Sequence, residues 1–206
     1  MKRMLLVLAL GALCVAPAAA APPTVTLKAS PTVVQYGGST TLSGVLSTGR
    51  AGESVDILAQ ECGQTAFKKV ATATTTTGGN FTVAVKPTLN TNYEAKQKGA
   101  TSTAAAVKVS PLVTAKKLSL GKFRVSVTAA QSFVGKYVVF QRLRNTKWVS
   151  LKKVTLKTVA TTTAPTQVSS ATFRIKLAAK RRVRAILPQP QAGSCYLAAK
   201  SKTIRS

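Results

Sequence analysis

The chain has no histidine and only four carboxylate side chains: Glu53, Asp56, Glu61 and Glu94. No Asp or Glu follows Glu94 in a sequence of 206 residues. General acid–base chemistry draws on His or on a tuned Asp or Glu, so the second half offers no ordinary catalytic acid or base. The lack of His also removes the base from any Ser- or Cys-based triad. Two Ser-x-x-Lys spacings, Ser119 with Lys122 and Ser150 with Lys153, fall in strand and turn contexts where the two side chains are not expected to converge. Three cysteines, one of them (Cys14) close to the N-terminus, are too few for a metal site. These absences predict a protein that is not an enzyme, with no catalytic residue, no metal and no cofactor.

Aromatic residues are scarce as well: six Phe, four Tyr and one Trp. Few rings are left to stack on bases, and no helix-turn-helix, zinc-finger, RNP or KH pattern is present. Nucleic acid is therefore a poor partner. A single long apolar run exists, Met4 to Val15, behind Lys2 and Arg3 and ahead of Ala18-Ala19-Ala20. A basic start, a short apolar stretch and a small-residue cleavage site form the pattern of a secretory leader. The run is shorter than the roughly 20 residues a membrane-spanning helix needs. Leu13 stands before Cys14 where lipid attachment favours a small residue, so lipidation is discounted. Residues 1–21 are expected to be a signal peptide. The mature chain is expected to be secreted, extracellular or associated with the cell wall, with no transmembrane or sortase-type anchor.

What remains repeats itself. Gly52-Glu53-Ser54-Val55-Asp56-Ile57 is echoed by Gly135-Lys136-Tyr137-Val138-Val139-Phe140, and Phe67 by Trp148. Phe81-Thr82-Val83-Ala84-Val85 is echoed by Phe173-Arg174-Ile175-Lys176-Leu177, and Tyr93-Glu94-Ala95 by Val183-Arg184-Ala185. A period of about 90 residues is that of a small domain, not of a solenoid unit. The predicted division is 22–110 and 111–206, with the boundary at Ser110-Pro111. Both halves read as all-β. Apolar and polar residues alternate in Phe123/Val125/Val127 against Arg124/Ser126 and in Phe173/Ile175/Leu177 against Arg174/Lys176. Segments near 24–29, 40–46, 53–60, 66–73, 80–86, 92–97 and 103–109 give seven strands, the count of a β-sandwich. Phe81, Phe173, Ile57 and Phe140 are predicted core. Trp148 is expected there too, because it stands in the place of Phe67.

Leu42-Ser43-Gly44, Ala51-Gly52-Glu53-Ser54-Val55-Asp56-Ile57 and Gly78-Gly79-Asn80-Phe81 together resemble the bacterial immunoglobulin-like repeat of secreted and surface proteins. In that family the pattern marks the second, third and fifth strands. The second half is a divergent copy. Val127 replaces the Gly of the second strand, and Ser169-Ser170-Ala171-Thr172 replaces the Gly-Gly turn. The resemblance implies two tandem immunoglobulin-like β-sandwiches. Its function classes are spacers, adhesin stalks and accessory modules, and fold alone does not choose among them.

Charge is very uneven. Residues 22–110 hold eight basic and four acidic residues, whereas residues 111–206 hold twenty basic and none acidic. Arg124 on the second strand, and Arg174 and Lys176 on the fifth, should face outward on neighbouring strands. Arg182 and Arg184 on the sixth should neighbour Lys200 and Lys202 on the seventh. Like charges across a sheet repel, and no carboxylate side chain in this half can relieve them. These seven residues are the predicted contact surface for a polyanion, such as a cell-wall polymer or an acidic polysaccharide. The alternative is a structural spacer or adhesin-type module, with another surface protein as partner and no affinity for polyanions. Cys62 and Cys195 are expected to pair across the two halves, since export favours oxidation. An up-down count of strands puts Cys62 at the end of the first half from which the chain leaves. It puts Cys195 at the end of the second where the chain enters. A buried thiol pair and an intermolecular bridge are the other outcomes.

Overall fold

The computed structural model describes residues 22–206, so the expected signal peptide over residues 1–21, with Cys14, lies outside the described residues. The first half builds β1 (Lys28–Ser30), β2 (Val33–Gln35), β3 (Thr40–Val45), β4 (Ser54–Glu61), β5 (Lys68–Thr74), β6 (Asn80–Val85), β7 (Thr91–Gln97), β8 (Ala100–Thr101) and β9 (Ala105–Ser110). All seven predicted segments carry strand, and β2 and β8 are additional. The extra β2 arises because the first segment changes sheets. β1 pairs antiparallel with β3, the chain passes Pro31, which has no N–H to give, and β2 then runs parallel to β9. The sheets are ordered β1-β3-β6 and β2-β9-β7-β4-β5, with β8 also on β7.

The second half builds β10 (Leu112–Ser119), β11 (Lys122–Ala129), β12 (Tyr137–Arg144), β13 (Lys147–Thr155), β14 (Thr158–Thr161), β15 (Gln167–Arg174), β16 (Arg182–Leu187), a one-turn helix α1 (Gln189–Ala192), β17 (Ala199–Lys200) and β18 (Ile204–Arg205). Its sheets are ordered β10-β11-β15-β14 and β13-β12-β16-β17, with β18 also on β16. Every strand pairing among the described residues stays within its own half. The architecture is all-β and sandwich-like, and no helix of the described residues is long and apolar enough to cross a membrane.

Alternation decides which side chains go inward. In β11, Phe123, Val125 and Val127 are fully buried. Phe123 lies 5.0 Å from Phe140 of the facing sheet and 6.0 Å from Phe173 beside it, and Phe140 and Phe173 meet edge to face at 5.0 Å. The predicted core residues Ile57, Phe81, Phe140 and Phe173 are all buried. Ser169–Thr172 is not a turn, as the repeat had suggested. It lies inside β15, and the chain turns instead at Thr162–Thr166, closed by Thr166 N–H on the Thr163 carbonyl at 2.8 Å.

The repeat extends to single hydrogen bonds. In the first half, Ser102 donates its N–H to the Ala95 carbonyl, and its Oγ accepts the Ala95 N–H at 2.9 Å while donating to the Thr103 carbonyl at 3.0 Å. In the second, Ser201 repeats this with Ala185 and Lys202 at 2.8–2.9 Å. Each serine interrupts the last strand of its half and satisfies the backbone groups that the interruption would strand.

Candidate functional site

Five of the seven predicted cations (Arg124, Arg174, Arg182, Arg184 and Lys200) lie on strands whose inward partners are core residues, so their outward direction follows from the strand period of two. They do not gather in one place. Arg124 and Arg174 project from the outer face of the β10-β11-β15-β14 sheet. Lys176 lies just past the end of β15, exposed, beside Arg174 and the Leu120-Gly121 turn. Arg182, Arg184 and Lys200 project from the outer face of the other sheet, on the opposite side of the core. Lys202 sits in the break between β17 and β18 and lines, with Lys200, a cleft beside Gln35, Leu112 and Ile204.

On the first face the register brings like charges together. Lys116 stands directly opposite Arg124, and Lys122 directly opposite Arg174. Arg124 finds one neutral partner, donating from Nε to Thr172 Oγ1 at 3.5 Å. Lys116 and Lys122 were missed by the sequence reading. Lys116 could have been found by extending the alternation into the strand after Pro111. The turn that carries Lys122 also places Ser119 opposite it. The two are neighbours in backbone register, and among the described residues no hydrogen bond joins their side chains.

On the second face the predicted neighbours of Arg182 and Arg184 need correction. Arg205, not Lys200 or Lys202, stands opposite Arg182, and Lys200 stands opposite Ile186. The interruption at Ser201 shifts the pairing, which a continuous seventh strand would not have done. Arg184 pairs with Gln141 and donates from Nε to its Oε1 at 3.0 Å. Its guanidinium lies 4.0 Å from the centre of the Trp148 ring, and partial burial pulls its pKa below the ordinary value. Lys153 is similarly placed over Tyr137, at 5.1 Å.

Trp148 is not a core residue. A bulge explains this. Phe140 pairs with Lys152, but Gln141 pairs with Ser150, leaving Leu151 as an extra residue in β13. One extra residue reverses the faces of everything beyond it, so Trp148 pairs with outward-facing Leu143. Its counterpart Phe67 is also only half-buried. Among the described residues the one side-chain ion pair is Lys69 with Asp56, at 2.6 Å in the first half. The bond to Lys69 holds the Asp56 pKa below its ordinary value.

Cys62 and Cys195 form a disulfide, with 5.3 Å between their Cα atoms and a sequence separation of 133. The expected placement holds: Cys62 follows β4, and Cys195 lies between β16 and β17. Asn90, which is 9 % exposed, completes the junction. Its N–H donates to the Cys195 carbonyl at 3.0 Å, its Nδ2 to the Ser194 carbonyl at 2.9 Å, and its Oδ1 accepts the Val109 N–H at 2.8 Å. Leu197 N–H reaches the Val109 carbonyl at 2.8 Å, and the hydroxyls of Tyr36 and Thr166 meet at 3.0 Å.

No protein-family model matches the chain, and no curated protein is similar to it at a significant level.

Proposed function

We propose that this is a secreted, non-catalytic binding protein of the cell exterior whose second half contacts polyanions, either a cell-wall polymer or an acidic polysaccharide. The observation that carries the reading is the pairing of Lys116 with Arg124 and Lys122 with Arg174 across one sheet, in a half with no acidic side chain. Like charges directly opposite one another on a sheet are destabilising. An anionic polymer bridging them removes that cost and releases its own counterions. We further propose that the two halves are immunoglobulin-like domains of the bacterial surface type. The order β10-β11-β15-β14 facing β13-β12-β16-β17 supports this, since it follows the two-sheet arrangement of that fold.

Retention of the full chain on a sulfated or carboxylated matrix tests the reading. Elution should move steeply with salt between about 50 and about 200 mM. Replacing Arg124, Arg174, Arg182 and Arg184 by Gln should shift elution to lower salt. If the quadruple variant elutes with the wild type, the polyanion reading falls.

A spacer is the second reading, and the junction favours it. Pro111 alone separates β9 from β10, and the disulfide and the Asn90 hydrogen bonds tie the halves together. A tied pair of sandwiches holds a partner at a set distance without binding polymer itself.

A further inference from the structure

The two basic faces differ in kind. The β10-β11-β15-β14 face presents Lys and Arg opposite one another with no aromatic ring among them. The β13-β12-β16 face has a neutral strip of Val139, Gln141, Leu143 and Ile186, with cations and rings around it. Trp148 and Arg184 mark one end. Tyr137 and Lys153 mark the other, six residues along β12, or about 20 Å. We propose that this second face binds an acidic glycan, Trp148 lying against the flat apolar side of a sugar ring while Arg184, Arg182 and Arg205 take its carboxylate or sulfate groups. The proposal rests on the polyanion reading and names the face and the polymer class.

Three observations support it. The chain's one Trp is turned out of the core by the β13 bulge, where a large ring stays partly in water. An amphipathic ring so placed favours contact with a surface that is itself half apolar. Arg184 is already oriented, stacked 4.0 Å from that ring and tied through Nε to Gln141 at 3.0 Å. Among the described residues its other N–H groups have no protein partner. A guanidinium held in place loses little freedom on binding, and its planar fork matches a carboxylate or sulfate. Finally, apolar Val139 and Ile186 are paired across the strip. They suit the C–H faces of sugars and offer nothing to a polyphosphate, which the other face's point charges fit better.

Because Trp148 is the single Trp, its fluorescence reports on this face alone. The full chain is titrated with polygalacturonate, with heparin and with polyphosphate. A saturable change in emission is expected with polygalacturonate or heparin, the responder showing whether carboxylate or sulfate is recognised. Trp148→Ala should weaken that binding about tenfold, measured calorimetrically. Trp148→Phe should keep most of the affinity, and Arg184→Lys should lose it, because Lys cannot stack or fork. Glycan binding that leaves emission and the Trp148→Ala affinity unchanged overturns the proposal and leaves the polyanion reading standing. So does an equal emission response to polyphosphate. Failure to bind any of the three polymers overturns both.

Discussion

Phe173 shows how much one residue contributes. It is 8 % exposed and touches two other rings, Phe123 and Phe140, at 6.0 and 5.0 Å. Phe173→Ala should cost about 3–5 kcal/mol in urea unfolding, a large share of the stability of a small sandwich. Gly44 matters for the opposite reason. A Cβ there would lie 2.0 Å from the Thr26 carbonyl oxygen and 2.5 Å from Cζ of Phe81. Gly44→Ala should therefore destabilise by about 1–3 kcal/mol through overpacking. Two buried phenols set an alkaline limit. Burial pushes Tyr93 and Tyr196 from 10.0 up to about 12. A raised folded-state pKa contributes stability that is fully present below pH 10 and is lost as pH rises toward about 12. Denaturation midpoints should fall across that window. Tyr196→Phe should make the fall shallower, although it also removes the hydrogen bond that Ala130 N–H donates to the Tyr196 hydroxyl at 2.9 Å.

At the scale of elements, the β10-β11-β15 ladder is under electrostatic load. Lys122 opposite Arg174 and Lys116 opposite Arg124 oppose the hydrogen bonding of their own strands. Lys122→Glu turns one repulsive pair into an attractive one and should raise stability by about 0.2–1 kcal/mol. The same change should lower polyanion retention if that face takes part. A stabilised variant that binds worse would mean that the load is retained for binding. The outer edge strands are managed differently. β17 and β18 are two residues each, broken at Ser201 and rich in Lys and Arg, which discourages strand addition from outside.

For the molecule as a whole, the junction is the controlling feature. The Cys62–Cys195 bond closes a loop of more than a hundred residues, worth up to about 5 kcal/mol by constraining the unfolded chain. Neither cysteine should react with an alkylating agent in the denatured protein until reductant is added. Replacing both by Ser should lower the unfolding midpoint and separate the transitions of the two halves. Asn90→Leu should do so in part, because it leaves the Val109 N–H buried without a partner, at about 1–3 kcal/mol. A single transition unchanged by either substitution would show that the halves are coupled by other contacts.

The strand content, the two-fold repeat, the charge imbalance and the cysteine pair could all be read from the sequence, because each is local or compositional. Alternation in Phe123 to Val127 is enough to send phenylalanine inward and arginine outward, whatever the strand packs against. Partnership across strands depends on register, and register is a long-range property. The grouping of Arg124 with Arg174 and of Arg184 with the last strand could be read from the sequence, but not that Arg205 would meet Arg182. The sequence also placed Trp148 in the core by analogy with Phe67. Only the folded chain decided that one, since a single extra residue, Leu151 in β13, is enough to turn the ring to the outside.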